Sequence, residues 1–288
     1  MFMKRETDFL TLLLEHFLQA IRLTSMWKQL YLTILFISCS FICANAQKSV
    51  RVVENDAFGF GEKITYTVKY NLYFNISVGE VNFEITDKPE VIAGNRCYHV
   101  IGTGSTYGFY DPFYKVRDRY ETYIEENSIL PLLFIRNVNE GKFSFNEYVI
   151  FNQAKSTAVS KKRAQRIPKF TEDVLSSLYY ARTFDFTDAK PGQAFMLTTF
   201  IDDSTYHVGV RYVGRVTLNT SLGKIKCIKL KPILIVDRLF KSENSMTLWV
   251  TDDANHIPVR VESGISVGKI RADLASWSGL KSPMTSLK

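Results

Sequence analysis

Between Glu62 and Tyr70 the residues Ile64, Tyr66, Val68 and Tyr70 alternate with Lys63, Thr65, Thr67 and Lys69. A period of two puts successive side chains on opposite faces, which is the pattern of a half-buried strand. The pattern recurs. Val81, Phe83 and Ile85 alternate with Glu80, Asn82 and Glu84. Tyr206, Val208, Val210 and Tyr212 alternate with more polar neighbours, and Ile270, Ala272 and Leu274 alternate with Lys269, Arg271 and Asp273. About a dozen such runs, joined mostly by short turns, leave no room for the long crossovers that parallel strands need. The sequence therefore predicts an all-β fold. It is a large antiparallel meander, curled into a partly closed barrel because many twisted strands tend to close.

One stretch breaks the rule. Thr171–Phe184, TEDVLSSLYYARTF, places Val174, Leu175, Leu178, Tyr179 and Ala181 on one face at helical spacing. Thr171 and Asp173 are both competent N-caps. This predicts one short helix packed on the sheet. The phase break at Cys227-Ile228 predicts a β-bulge, and the residues from Ser276 on read as a loose polar tail.

The N-terminal region reads as an address. Residues 26–46 have a basic start at Lys28, an apolar run from Leu30 to Cys43 and Ala44-Asn45-Ala46 as a cleavage site. They predict a signal peptide, and residues 1–25, ahead of it, read as a mis-annotated or non-native extension. A single β-meander domain occupies residues 47–288. The protein is then exported, periplasmic or outer-membrane associated. A lipoprotein acylated at Cys39 is less favoured, because Phe36 stands where a small aliphatic is usual. The first 46 residues hold four Lys/Arg and three Asp/Glu, so the remainder keeps a net charge of +6. In an exported protein that argues against nucleic acid and fits anionic envelope partners. Cys97 and Cys227 remain as a bridge or as two buried thiols.

The pieces GEKITYTVKY (Gly61–Tyr70), VGEVNFEI (Val78–Ile85), YKVRDRYETYIE (Tyr114–Glu125), DVLSSLYYAR (Asp173–Arg182) and LWVTDDANHIPVRVE (Leu248–Glu262) occur in order along nearly the whole mature chain. In them the chain resembles an exported, uncharacterised bacterial family, domain of unknown function 3108. The resemblance implies a curled meander similar to the YmcC-like lipoprotein fold. It implies no activity and transfers no catalytic residue.

The candidate site residues come from chemistry alone. Tyr107, Phe109 and Tyr110 sit in the Gly- and aromatic-rich stretch Gly102–Pro112, suited to glycans or acyl chains at a barrel mouth. Asp118 falls on the apolar side of its strand, where it would either orient a ligand in a barrel lumen or be held in a structural ion pair with Arg182 or an Arg of a neighbouring strand. Trp249 is a further candidate for the lining. His99, His207 and His256 show no nucleophile, metal-ligand or phosphate-loop spacing. No cofactor, metal or catalysis is expected. The expected role is binding of an apolar or glycan-like ligand. Its alternatives are a structural or assembly factor contacting an envelope protein, and an unrecognised hydrolase.

Overall fold

The structure, a computed structural model, describes residues 51–71, 75–233, 246–265 and 267–288. The signal-peptide, Cys39 and N-terminal-extension expectations lie outside them. Val50–Lys288 forms one compact unit.

Sixteen strands form one sheet: β1 (Lys63–Asn71), β2 (Asn75–Ile85), β3 (Glu90–Ile92), β4 (Asn95–Thr106), β5 (Arg117–Glu125), β6 (Pro131–Glu140), β7 (Phe143–Asn152), β8 (Thr157–Ser160), β9 (Ala164–Arg166), β10 (Thr171–Glu172), β11 (Ala194–Ile201), β12 (Ser204–Thr220), β13 (Gly223–Ile233), β14 (Met246–Thr251), β15 (Pro258–Gly264) and β16 (Lys269–Ser278). The order is β10 to β16, then β1, β2 and β4 to β9, with β3 hairpinned onto β4. The first and last strands are thus neighbours in the middle of the sheet.

Pairing is antiparallel except at β10–β11, where Thr171 and Glu172 run parallel to Thr198 and Thr199. This corrects the purely antiparallel expectation. The segment between β10 and β11 carries a helix, α1 (Val174–Ala181), and supplies the crossover that parallel pairing requires. The backbone ladder stays open between β9 and β10. Side chains span the gap: Arg163 Nη2 and Gln165 Nε2 donate to the Asp203 carbonyl at 2.7 and 3.0 Å, and Arg136 pairs with Asp202. The β11–β12 turn is thereby held against the opposite edge of the curl, so the barrel is partly closed.

Helix α1 starts three residues later than its sequence suggests, because Thr171 and Glu172 are claimed by the sheet. Asp173 is the cap. Its Oδ1 accepts from the Leu175 and Ser176 N–H groups at 2.7 and 2.9 Å, while its own N–H donates to Ser176 Oγ at 2.8 Å. Leu175 and Tyr179 face a core with Phe58, Ile85, Tyr98, Phe134, Phe151 and Phe200. Gly102 on β4 makes this docking possible. A Cβ there would sit 3.3 Å from the Leu175 side chain and 3.1 Å from the Phe83 ring.

Two further expectations are corrected. At Cys227-Ile228 the strand continues without a bulge, pairing with Thr251 and Val250 in regular register. Both residues are buried because both faces are covered: Ile228 faces the interior cluster of Phe186 and Val210, and Cys227 lies under Leu218, Trp249 and Leu287. The tail is what covers the second face. Leu280 and Met284 pack on one core cluster and Leu287 on another, with the Lys288 N–H bonded to the Lys224 carbonyl at 2.9 Å. It is an ordered cover. Cys97 and Cys227 are both free and buried.

Candidate functional site: an apolar cavity in half of the curl

The helix divides the interior. Tyr179 borders both halves, and on the side of Leu175 the curl is filled. On the side of Ser177, Leu178 and Ala181 it encloses a cavity of about 420 Å3. The walls are the inward faces of β1, β2 and β11 to β16. Alternation selects which residues line it: Val208 and Val210 on β12, Leu230 and Pro232 on β13, Met246, Leu248 and Val250 on β14, and Ala272 on β16. Leu178, expected on the helix's buried face, is 51% exposed and lines this space.

Strand register fixes how the cavity runs. Pro232 and Met246 lie near the ends of β13 and β14, while Ile64 and Pro258 lie near the opposite ends of β1 and β15. His256 and Arg182 stand at that second end, the base. The base is polar and its charges are paired, while the Tyr179 hydroxyl and Asn255 Oδ1 are buried there without a hydrogen-bond partner among the described residues. Arg182 donates to both Glu62 oxygens at 2.6 and 2.8 Å, to the Ala57 carbonyl at 2.7 Å and to the Asn255 carbonyl at 3.0 Å. His256 Nδ1 donates to the Arg182 carbonyl at 2.7 Å, which leaves Nε2 as the acceptor. Burial lowers the His256 pKa, so the ring is neutral at pH 7. Burial also raises the Tyr66 and Tyr179 phenols above their ordinary value. What the cavity offers a ligand is apolar wall and very little hydrogen bonding.

None of the five residues singled out by chemistry lines it. Tyr107, Phe109 and Tyr110 lie on the connection between β4 and β5, with Phe109 78% exposed. Asp118 does share a face with Tyr120 and Thr122, but at the outer end of β5. There it is half-buried and accepts the Asn139 N–H at 2.8 Å, with no ion pair among the described residues. Arg182, its suggested partner, belongs to Glu62 instead. Trp249 points away from the cavity, since its neighbours Leu248 and Val250 point in. Leu248 and Val250 share the phase of Met246, a signal present in the sequence and hidden by the larger aromatic between them.

The other polar candidates are also engaged. His99 Nε2 lies 2.8 Å from Glu121, and His207 Nδ1 lies 3.2 Å from Thr198 Oγ1. Ser177 Oγ donates to Thr199 Oγ1 at 3.0 Å. In the turn at Asp252–Asn255, Asp253 accepts from Thr251, Asn255 and the Ser286 N–H, which fastens the tail. No group of three or more His, Cys, Asp or Glu among the described residues is placed to hold a metal ion.

Fold and cavity together define a curled, β-barrel-like protein with a hollow apolar half. A family profile described as a protein of unknown function (DUF3108) matches residues 65–275, and the chain belongs to that family. Among solved structures it is similar to a β-barrel-like protein of domain of unknown function DUF1849 from Brucella abortus. That match has 10% identity and a TM-score of 0.51, covering 80% of this chain and 99% of the other. It is also similar to a candidate lipoprotein from Parabacteroides distasonis, at 10% identity and a TM-score of 0.34, over 79% of this chain and 99% of that one. A candidate exported protein with a YmcC-like fold from Bacteroides fragilis matches at 11% identity and a TM-score of 0.29, over 80% and 100%. A comparison with curated proteins finds no match.

Proposed function

We propose that this is a non-catalytic, exported envelope protein that holds an apolar, acyl-type ligand in the cavity of its curled sheet. The observation that carries the reading is a volume of about 420 Å3 walled almost wholly by aliphatic side chains and the rings of Tyr66, Phe83, Tyr179 and Phe186, with Arg182 and His256 confined to its base. That size is in the range of small-molecule sites. Of the two ligand classes the sequence suggested, the wall favours the apolar one. A glycan would bring hydroxyls to a surface with almost no partners for them, and each unpaired polar group costs about 1–3 kcal/mol. Export rests on the signal-peptide pattern at residues 26–46.

The test is native mass spectrometry of the protein purified from its own envelope, together with titration of a fluorescent fatty acid. Val208→Trp and Ala272→Phe fill the cavity from two walls. Both should abolish uptake of the fatty acid without lowering the melting temperature. Undiminished uptake by both variants, if folded, would refute the proposal.

A further inference from the structure

Antiparallel pairing places several connections at one end of the sheet. The register sets Asn71 beside both Asn75 and Lys269, Gly79 beside Thr106, Ser105 beside Arg117, Glu140 beside Phe143 and Gly264 beside Lys269. The near ends of β1, β2, β15 and β16 and the β4–β5 and β6–β7 connections therefore lie on one rim. It is also the end at which Pro232 and Met246 line the cavity.

This rim bears apolar side chains that no described residue covers. Among the described residues four phenylalanines are exposed, and three are here: Phe113 (81%), Phe109 (78%) and Phe143 (60%). Val267, Ile265 and Ile76 extend the set across the next connections. The loops are joined to each other, since the Gly141 N–H donates to the Lys115 carbonyl at 2.7 Å and Tyr114 Oη donates to Glu140 at 3.3 Å. Lys115 and Lys142 are exposed between the aromatics and form no ion pair among the described residues. The rim's carboxylates are engaged. Asp111 is taken by Arg117 at 2.7 Å and by Thr106, and Asp118 by the Asn139 N–H.

We infer that this rim is a lipid-docking face, which seats on an anionic bilayer with Phe109, Phe113 and Phe143 at headgroup depth and Lys115 and Lys142 against the phosphates. Aromatic rings set among cations are what a membrane interface accepts, and the apolar area and charge act together. The chain's net charge of +7 has the sign that an anionic surface attracts. Docked in this way, the cavity's near end faces the membrane. The inference goes beyond the ligand reading and can fail without it.

The experiment is flotation of the purified protein with phosphatidylglycerol-containing vesicles and with phosphatidylcholine vesicles. The protein should float with the first and much less with the second. The triple variant Phe109→Ser, Phe113→Ser, Phe143→Ser should lose about tenfold or more in partitioning while still taking up fluorescent fatty acid from solution. A single Phe113→Trp change should add tryptophan emission that shifts to the blue with anionic vesicles. The proposal is overturned if the parent ignores both vesicle types, which would make the rim a protein-facing surface. It is overturned equally if the triple variant floats like the parent, or if the new tryptophan emission does not move. Loss of fatty-acid uptake by the parent itself would count against the cavity reading alone.

Discussion

Arg182→Met tests how the base of the cavity is held. Arg182 is 6% exposed, and its partner Glu62 is wholly buried at the start of β1. The guanidinium ties three separate pieces of chain to the end of α1. These are Glu62, the Ala57 carbonyl in the segment before β1, and the Asn255 carbonyl in the turn before β15. Methionine keeps much of the volume and removes every one of those donors. Glu62 is then a buried carboxylate without a counter-charge, a situation that costs about 3–5 kcal/mol. Each carbonyl left without a donor adds to this by about 1–3 kcal/mol where water does not reach it. Against a total stability of roughly 5–15 kcal/mol for an ordinary domain, this is a third or more.

Urea unfolding of the parent, Arg182→Met, Glu62→Leu and the double variant closes a cycle. Each single change should destabilise strongly, because each leaves one buried charge alone. The double variant should recover much of the loss, since apolar replacement of a whole buried pair is close to neutral. A single variant within about 1 kcal/mol of the parent, or effects that simply add, would refute the argument that these charges are sequestered together.

Three further outcomes are expected. Burial raises Glu172 to about 7 and Asp173 to about 6, with Arg51 and Thr122 opposing the shift. Both therefore hold protons more tightly folded than unfolded, and their contribution to stability should fall as pH rises from near 4 through 7, on the order of 2 kcal/mol per group, against the opposite and smaller contribution of His256. Urea midpoints across that range should show the slope, and Glu172→Gln should flatten it. Burial pushes the Cys97 thiol up to about 11 and Cys227 to about 12, so iodoacetamide at pH 8 should label both in urea and neither in the native protein. Labelling without unfolding would contradict their burial. Asp118→Asn should shift stability by less than about 1 kcal/mol, since the amide oxygen can still accept the Asn139 N–H. A loss of several kcal/mol would reveal a charge partner for Asp118.

Alternation made the strands legible because it depends only on which face each side chain takes. The pairing of Phe195–Ile201 with Tyr206–Tyr212 across Asp202 and Asp203 follows from it directly. Covering was not legible. Cys227 and Ile228 read as a slipped phase because burial on both faces erases the alternation, and the cover comes from Leu287, sixty residues downstream. The helix start was hidden in the same way, since only the sheet edge at β11 shows that Thr171 and Glu172 are strand. At the site, chemical character misled where phase would have served. Trp249 is the more conspicuous residue, but its phase sends it outward and sends Leu248 and Val250 in.

Why one half of the curl is hollow can be argued from side-chain volume. The half around Phe58 has Tyr98, Phe134, Phe151 and Phe200 converging on it, and large rings fill the space that a curled sheet of this width encloses. The half walled by β12 to β16 turns Val208, Gly209, Val210, Val261 and Ala272 inward, with Pro232 and Pro258 at either end. Around that stretch of small residues the larger side chains of the wall, Phe83, Phe186, Leu230 and Leu248 among them, border the space without filling it. The sheet is braced against further collapse where the tail pairs alongside β13 at Ile225 and where the β11–β12 turn is tied across the gap by Arg136, Arg163 and Gln165. A packed interior tolerates few voids unless something holds the walls apart. Here the same side-chain contacts that bridge the open seam of the sheet help hold open the space a ligand would occupy.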